Sequence, residues 1–166
     1  MGRQQMAIGK AVSLAVLLAL GVAPLAHAES GKPLFITADM VTGPGGSGPV
    51  CVLRNQFMRK EKVAWRIRVQ DATGKELDNQ SLKSLVVELS DGQKFSAQFR
   101  GHPPGDAPTD HFWSTSWAIP EDYPTGSFNY KVIATTSDGT TQSWEPFKVK
   151  PSLLTVIAGT FEPPAK

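Results

Sequence analysis

From Phe128 to Ala134 the chain alternates with a period of two. Phe128, Tyr130, Val132 and Ala134 fall on one face, while Ser127, Asn129, Lys131 and Thr135 fall on the other. That period marks a half-buried β-strand, and Asp138-Gly139 beyond it supplies the positive φ angles of a tight hairpin. A corner rich in proline and glycine, Pro120 to Gly126, leads into the strand. The cleanest alternation lies upstream, where Val63, Trp65, Ile67 and Val69 interleave with Ala64, Arg66 and Arg68. One face there is core and the other carries two arginines outward. Leu85–Leu89 and Lys94–Arg100 predict a hairpin through Ser90-Asp91-Gly92, with Leu85, Val87, Leu89, Phe95, Ala97 and Phe99 inward. His111–Ile119 places Trp113, Thr115, Trp117 and Ile119 on one side. Shorter strands are expected at Leu34–Ala38 and Val50–Phe57, with an edge strand at Leu153–Ile157. Gly43–Pro49 and residues 101–110 read as irregular loops. Many short strands punctuated by turns, with no long helix, predict an all-β antiparallel sandwich over residues 34–158.

The first 28 residues read as a processing segment rather than part of the fold. Arg3 and Lys10 precede an apolar run, Ala11–Leu20, and Pro24 is followed by Ala26-His27-Ala28. This is the layout of a cleaved signal peptide, with the cut expected after Ala28. The run is shorter than the ~20 residues a membrane span needs. No cysteine follows the cut to carry a lipid, and no membrane insertion is expected after cleavage. The expected compartment is therefore the periplasm or the outside of the cell. Residues 29–33 read as a flexible start and residues 159–166 as a disordered tail. Cleavage would remove two of the 17 basic residues and none of the 15 acidic ones, leaving a formally neutral protein. A nucleic-acid partner would call for a clustered basic field, which this balance does not provide. Arg59-Lys60-Glu61-Lys62, the one charge run, reads as a solvated turn. Cys51 is the single cysteine, so no intramolecular disulfide can form and the fold must rest on its core.

Cys51, Trp65 and the run Pro124-Thr-Gly126-Ser-Phe128-Asn-Tyr130 together resemble an immunoglobulin-like sandwich. In that family a cysteine on the second strand packs near a tryptophan on the third, at about the spacing of Cys51 and Trp65. The later run is similar to the corner before the sixth strand, with Phe128 at the tyrosine place and Tyr130 at the second cysteine place. The cadence of MRKEKVAWRIRVQDATGK, VVELSDGQKF and WAIPEDYPTGSFNYKVIATTSDG resembles exported bacterial immunoglobulin-like modules of the macroglobulin and fibronectin type. The resemblance covers roughly residues 34–150. It implies a non-catalytic adaptor, carrier or spacer whose partner is chosen by loops and edges.

Candidate chemistry is sparse. His102, Asp106, Asp110 and His111 form the one cluster with metal-ligand character, and Cys51 or Met58 would add a soft donor for copper. A copper or zinc site there competes with a purely structural polar loop. Trp113, Trp117 and Trp144, with Phe112 and Tyr123, make a dense aromatic group that suits core packing or a sugar platform. Phe112 has the opposite parity to Trp113, so Phe112, with Arg66 and Arg68, is a candidate partner contact. Nucleophilic catalysis needs a base beside an activated hydroxyl or thiol, and no Gly-x-Ser-x-Gly elbow, haem motif or phosphate loop occurs. The expected function is a non-catalytic accessory protein that docks to or helps assemble another envelope protein, such as a redox enzyme or transport component. A small periplasmic copper carrier using His102 and His111 is the alternative, and a carbohydrate-binding module a third.

Overall fold

The computed structural model describes residues 32–163. The leader assigned to residues 1–28, the first residues of the flexible start and the last three of the tail lie outside the described residues. Eleven strands follow one another: β1 (Phe35–Thr42), β2 (Gln56–Arg59), β3 (Lys62–Gln70), β4 (Leu82–Leu89), β5 (Lys94–Ser96) and β6 (Gln98–His102). Then come β7 (Asp110–Ala118), β8 (Gly126–Phe128), β9 (Tyr130–Thr136), β10 (Thr141–Trp144) and β11 (Leu154–Thr160). A single 3-10 turn, Lys150–Ser152, precedes β11.

The strands form three sheets, ordered β1-β3-β7-β6, β10-β9-β4-β5 and β2-β11-β8. Every pairing is antiparallel except that of β2 with β11, which is parallel. The two four-stranded sheets meet through one core, to which β3 gives Val63, Trp65, Ile67 and Val69, and β4 gives Leu82, Leu85, Val87 and Leu89. Because side chains alternate along a strand, these residues turn one apolar face of each sheet inward. Trp65 sits at the centre, fully buried. Its ring stacks on Phe95 at 5.6 Å and meets Tyr130 edge-on at 6.0 Å. Both partners belong to the opposite sheet.

Two segments read from sequence as continuous strands each divide between sheets. Lys94–Arg100 breaks at Ala97, so that β5 pairs with β4 while β6 crosses to pair with β7. The alternating run around Phe128 breaks at Asn129, with β8 joining β11 and β9 joining β4. Alternation survives both breaks. Phe95, Ala97 and Phe99 all reach the core, as do Phe128, Tyr130, Val132 and Ala134. A period of two reports which face is buried and is silent about which neighbour supplies the hydrogen bonds.

Other expectations need correction. Val50–Phe57 is not a strand: Cys51 adopts φ 66° in a turn, Leu53 makes an isolated bridge to Val41, and regular pairing starts at Gln56. Cys51 is consequently half-buried in a loop and not sealed in a strand. The expected edge strand at Leu153–Ile157 is longer, and it is the centre of the third sheet. It runs through Thr160, two residues into the segment read as tail. At the β9–β10 hairpin only Gly139 has positive φ, at 90°. The Asp138 carboxylate instead accepts from the Thr140 amide at 3.0 Å.

Trp65 supports a direct test of this packing. Replacing it with alanine should cost about 3–5 kcal/mol in urea unfolding, the usual range for a buried aromatic. Trp65→Phe should cost clearly less, because the indole Nε1–H of Trp65 has no acceptor and phenylalanine removes that unpaired donor. A Trp65→Phe loss equal to that of Trp65→Ala would contradict the arrangement.

Candidate functional site

The outer face of the first sheet gathers most of the polar residues singled out from sequence. His102 lies opposite Asp110 across β6 and β7, and Arg100 opposite Phe112. The His102 and Phe112 rings are 5.4 Å apart, and the Arg68 guanidinium lies 6.0 Å from the Phe112 ring centre. Arg68 also donates to Glu76 at 2.6 Å and to Asp110, while Arg66 makes a two-pronged pair with Asp39 at 2.8 Å for each bond. The His111 amide, ahead of the Arg68 charge, helps hold the Asp110 carboxyl below the usual carboxylate range. The two arginines thus spend their charge within the protein. Phe112 is half-buried beneath Arg68 rather than presented freely to solvent.

His111 is one residue out of phase with His102. It lies opposite Gly101 and stacks on Phe99 at 5.9 Å, on the other face of the sheet. The two imidazoles of the candidate metal cluster do not converge, since adjacent strand positions point to opposite faces. Asp106 is exposed in the intervening loop, and Cys51 and Met58 belong to other segments. Among the described residues no group of three or more His, Cys, Asp or Glu is placed to hold a metal ion. The aromatic group is largely internal. Trp113 donates Nε1–H to the Leu77 carbonyl at 2.8 Å, Trp117 meets Tyr123 edge-on at 4.8 Å, and Trp144 leans on Tyr130 at 6.3 Å.

A different region has the character of a binding site. A groove of about 430 Å³ opens between β1 and β10, where edge strands of the two large sheets come together. Ala38, Asp39 and Met40 of β1 form one side, with Tyr130 and Trp144 across from them. Leu53, Arg54 and Asn55 and the segment from Pro146 to Ser152 complete the lining, joined where the Asn55 side-chain amide donates to the Lys150 carbonyl at 2.9 Å. Leu53 is 64% exposed and Phe147 is 86% exposed, both large for apolar side chains lining one groove. Burial raises the Tyr130 hydroxyl to about 12, with the Asp39 charge adding to the effect, so it remains a neutral hydrogen-bonding group. Sequence alternation could not find this groove, because Leu53 and Phe147 lie in irregular segments where parity has no meaning.

Its wall is braced by a residue that sequence reasoning misplaced. Glu61, expected in a solvated turn, is fully buried. Its carboxylate accepts from Arg54 at 3.0 and 3.2 Å, from the Met58 amide at 2.5 Å, from the Ser47 amide at 3.2 Å and from the Ser47 hydroxyl. One carboxylate therefore ties the glycine-rich loop and the groove residue Arg54 to the start of β3. Gly43 permits the close approach: a Cβ there would lie 2.9 Å from the Lys62 carbonyl. Burial by itself disfavours the charged Glu61. The Ser47 hydroxyl, the Met58 amide and the Arg54 guanidinium outweigh it and hold the carboxyl below the ordinary glutamate range.

Comparison with known proteins adds nothing to this geometry: no protein-family model, no curated protein and no solved structure matches the chain.

The depressed Glu61 acidity fixes the sign of a pH effect. The folded state binds the Glu61 proton more weakly than the unfolded chain, so this contribution is fully present above the unfolded value of about 4.3. It is lost as pH falls through the lower folded value. Glu61→Gln should lose about 3 kcal/mol at pH 7, because it leaves Arg54 without its counter-ion. The same variant should show a shallower fall in stability between pH 5 and pH 3 than the parent, read by urea unfolding across that range. Parallel acid profiles for the two proteins would refute the role assigned to Glu61.

Proposed function

We propose that this protein is an exported, non-catalytic accessory protein that docks to another envelope polypeptide through the groove between β1 and β10. The observation carrying this reading is that Leu53 and Phe147, the two most exposed of the large apolar side chains among the described residues, line one groove. Exposed apolar groups that line a concavity favour a partner, because docking removes them from water. The leader pattern in residues 1–28 supports export. An immunoglobulin-like sandwich is the fold reading that agrees best with Trp65 between two four-stranded sheets, with Tyr130 against it where that family's second cysteine would stand. The third sheet, which adds Phe57, Leu154 and Val156 to the core, and the loop position of Cys51 are departures from that pattern.

Docking through loops and edges fits the chemistry of the surface. Arg66 and Arg68 are engaged by Asp39, Glu76 and Asp110, so the charge on that face of the first sheet is matched internally. The groove instead offers aromatic and aliphatic area, the kind of surface that dominates the centre of protein interfaces.

A photo-crosslinking amino acid placed at Phe147, in cells that express the protein, should yield one or a few discrete protein adducts. The same probe at Lys83, exposed on β4 of the other large sheet, should yield none. Equal or absent adducts at both positions would remove the groove as the docking site.

A further inference from the structure

The backbone along the groove points to a particular kind of partner. In a β-strand the N–H and C=O of one residue point to the same side, and alternate residues point to opposite sides. At the C-terminal end of β1, the Met40 carbonyl accepts from the Arg54 amide at 3.1 Å. Thr42 donates to the Val52 carbonyl and accepts from the Cys51 amide, both at 3.0 Å. At the other end the Gln142 side chain bridges from β10. It accepts from the Leu34 amide at 2.9 Å and donates to the Lys32 carbonyl at 2.7 Å. All four of these residues are even-numbered, so the even positions face away from β3. Ile36 and Ala38 are the two even positions between them. Among the described residues nothing pairs with their outward N–H and C=O groups, and β3 is the only strand beside β1.

We infer that this gap accepts an extended, uncharged apolar segment of another polypeptide, which adds as a short strand along Ile36–Ala38 and lays its side chains in the groove. The inference rests on the docking function proposed above and specifies its partner. Strand addition takes affinity from backbone hydrogen bonds and specificity from pockets that receive alternate side chains, and both components are present here. The groove charges are already matched internally, Asp39 with Arg66 and Arg54 with Glu61, so the complementary segment carries no charge of its own at the contact. Pairing of β1 with β1 of a second copy is disfavoured, because in both copies the Gln142 bridge and the 51–54 segment occupy the backbone groups on either side of Ile36–Ala38 and leave too short a stretch for a mutual ladder.

Ala38→Pro tests the backbone directly. It deletes the outward N–H and puts a ring in its place, while the bonds to β3, made by the odd-numbered positions, stay intact; proline is tolerated at such edge positions. Short linear peptides would be selected from a display library against the wild-type protein, and the best binder titrated against wild type, Ala38→Pro and Phe147→Asp. The inference predicts an alternating apolar peptide that loses at least about tenfold in affinity to each variant. It also predicts slowed hydrogen exchange at the Ile36 and Ala38 amides of the wild type when that peptide is added, a readout that stands even if Ala38→Pro fails to fold. A peptide weakened by Phe147→Asp but indifferent to Ala38→Pro, with no slowing at those amides, would overturn strand addition and leave the docking function standing. Failure to select any peptide while the Phe147 crosslink still forms would also overturn it, in favour of a folded partner surface. A concentration-dependent dimer abolished by Ala38→Pro would overturn it in favour of self-association.

Discussion

With one cysteine in the chain, no internal cross-link can restrain the unfolded state, and the fold stands on burial alone. Trp65 concentrates that burial. Its ring lies between the two large sheets, and its indole N–H finds no acceptor. A ring of this kind removes ~150–250 Å² from water, which at roughly 25 cal/mol per Å² contributes about 4–6 kcal/mol. An unsatisfied buried donor takes back about 1–3 kcal/mol. The apolar contribution wins, and the position still favours tryptophan because Phe95 and Tyr130 are shaped around its area. The unpaired donor is tolerated because the contacts around it are aromatic faces and edges, which fix the spacing of the sheets.

That spacing is maintained by the places where the chain changes sheets. At Ala97 and at Asn129 a strand leaves one sheet and enters another without losing its inward alternation. Such crossings lace the layers together covalently, a role that a disulfide fills in many small domains. They also generate the third sheet, since β8 pairs with β11 before the chain crosses after Phe128 into β9, and β11 in turn holds β2 in parallel. The last strand of the fold therefore closes over the second, and Phe57, Leu154 and Val156 are carried into the common core.

How much of this could be read from the chain depends on whether a residue sits where side-chain period has meaning. Val63 to Val69 and Leu85 to Leu89 were legible because each strand faces the core on one side and solvent on the other. The sheet crossings were not legible, because parity is preserved through them. Glu61 was missed for a different reason. A glutamate between lysines looks solvated, and only the return of the loop bearing Ser47 and Arg54 supplies the donors that let its charge be buried. His102 and His111 illustrate the converse. Nine residues apart around a proline-rich loop, they look able to meet, yet antiparallel pairing of β6 with β7 puts them on opposite faces. Phe147 and Leu53 carried no periodic signal at all, and their importance comes from being apolar and exposed beside the same groove.

The same accounting of backbone groups explains why the protein has an opening at β1 at all. An edge strand is an invitation to aggregation, and native proteins commonly cover, charge or shorten such edges. Here the residues leading into β1 are held by a side chain, Gln142, and the last part of the strand by the loop that Glu61 clamps in place. Covering the two ends and leaving the middle is selective. The open stretch is too short for a long ladder with another sheet edge, while a single short strand can still enter. The Glu61 brace thus has consequences at a distance from its own carboxylate. By fixing Arg54 it positions Leu53 at the mouth of the groove, and by holding the 51–54 segment against Met40 and Thr42 it sets where the open stretch ends. The buried charge that braces the loop thus also defines the boundary of the surface left available for recognition.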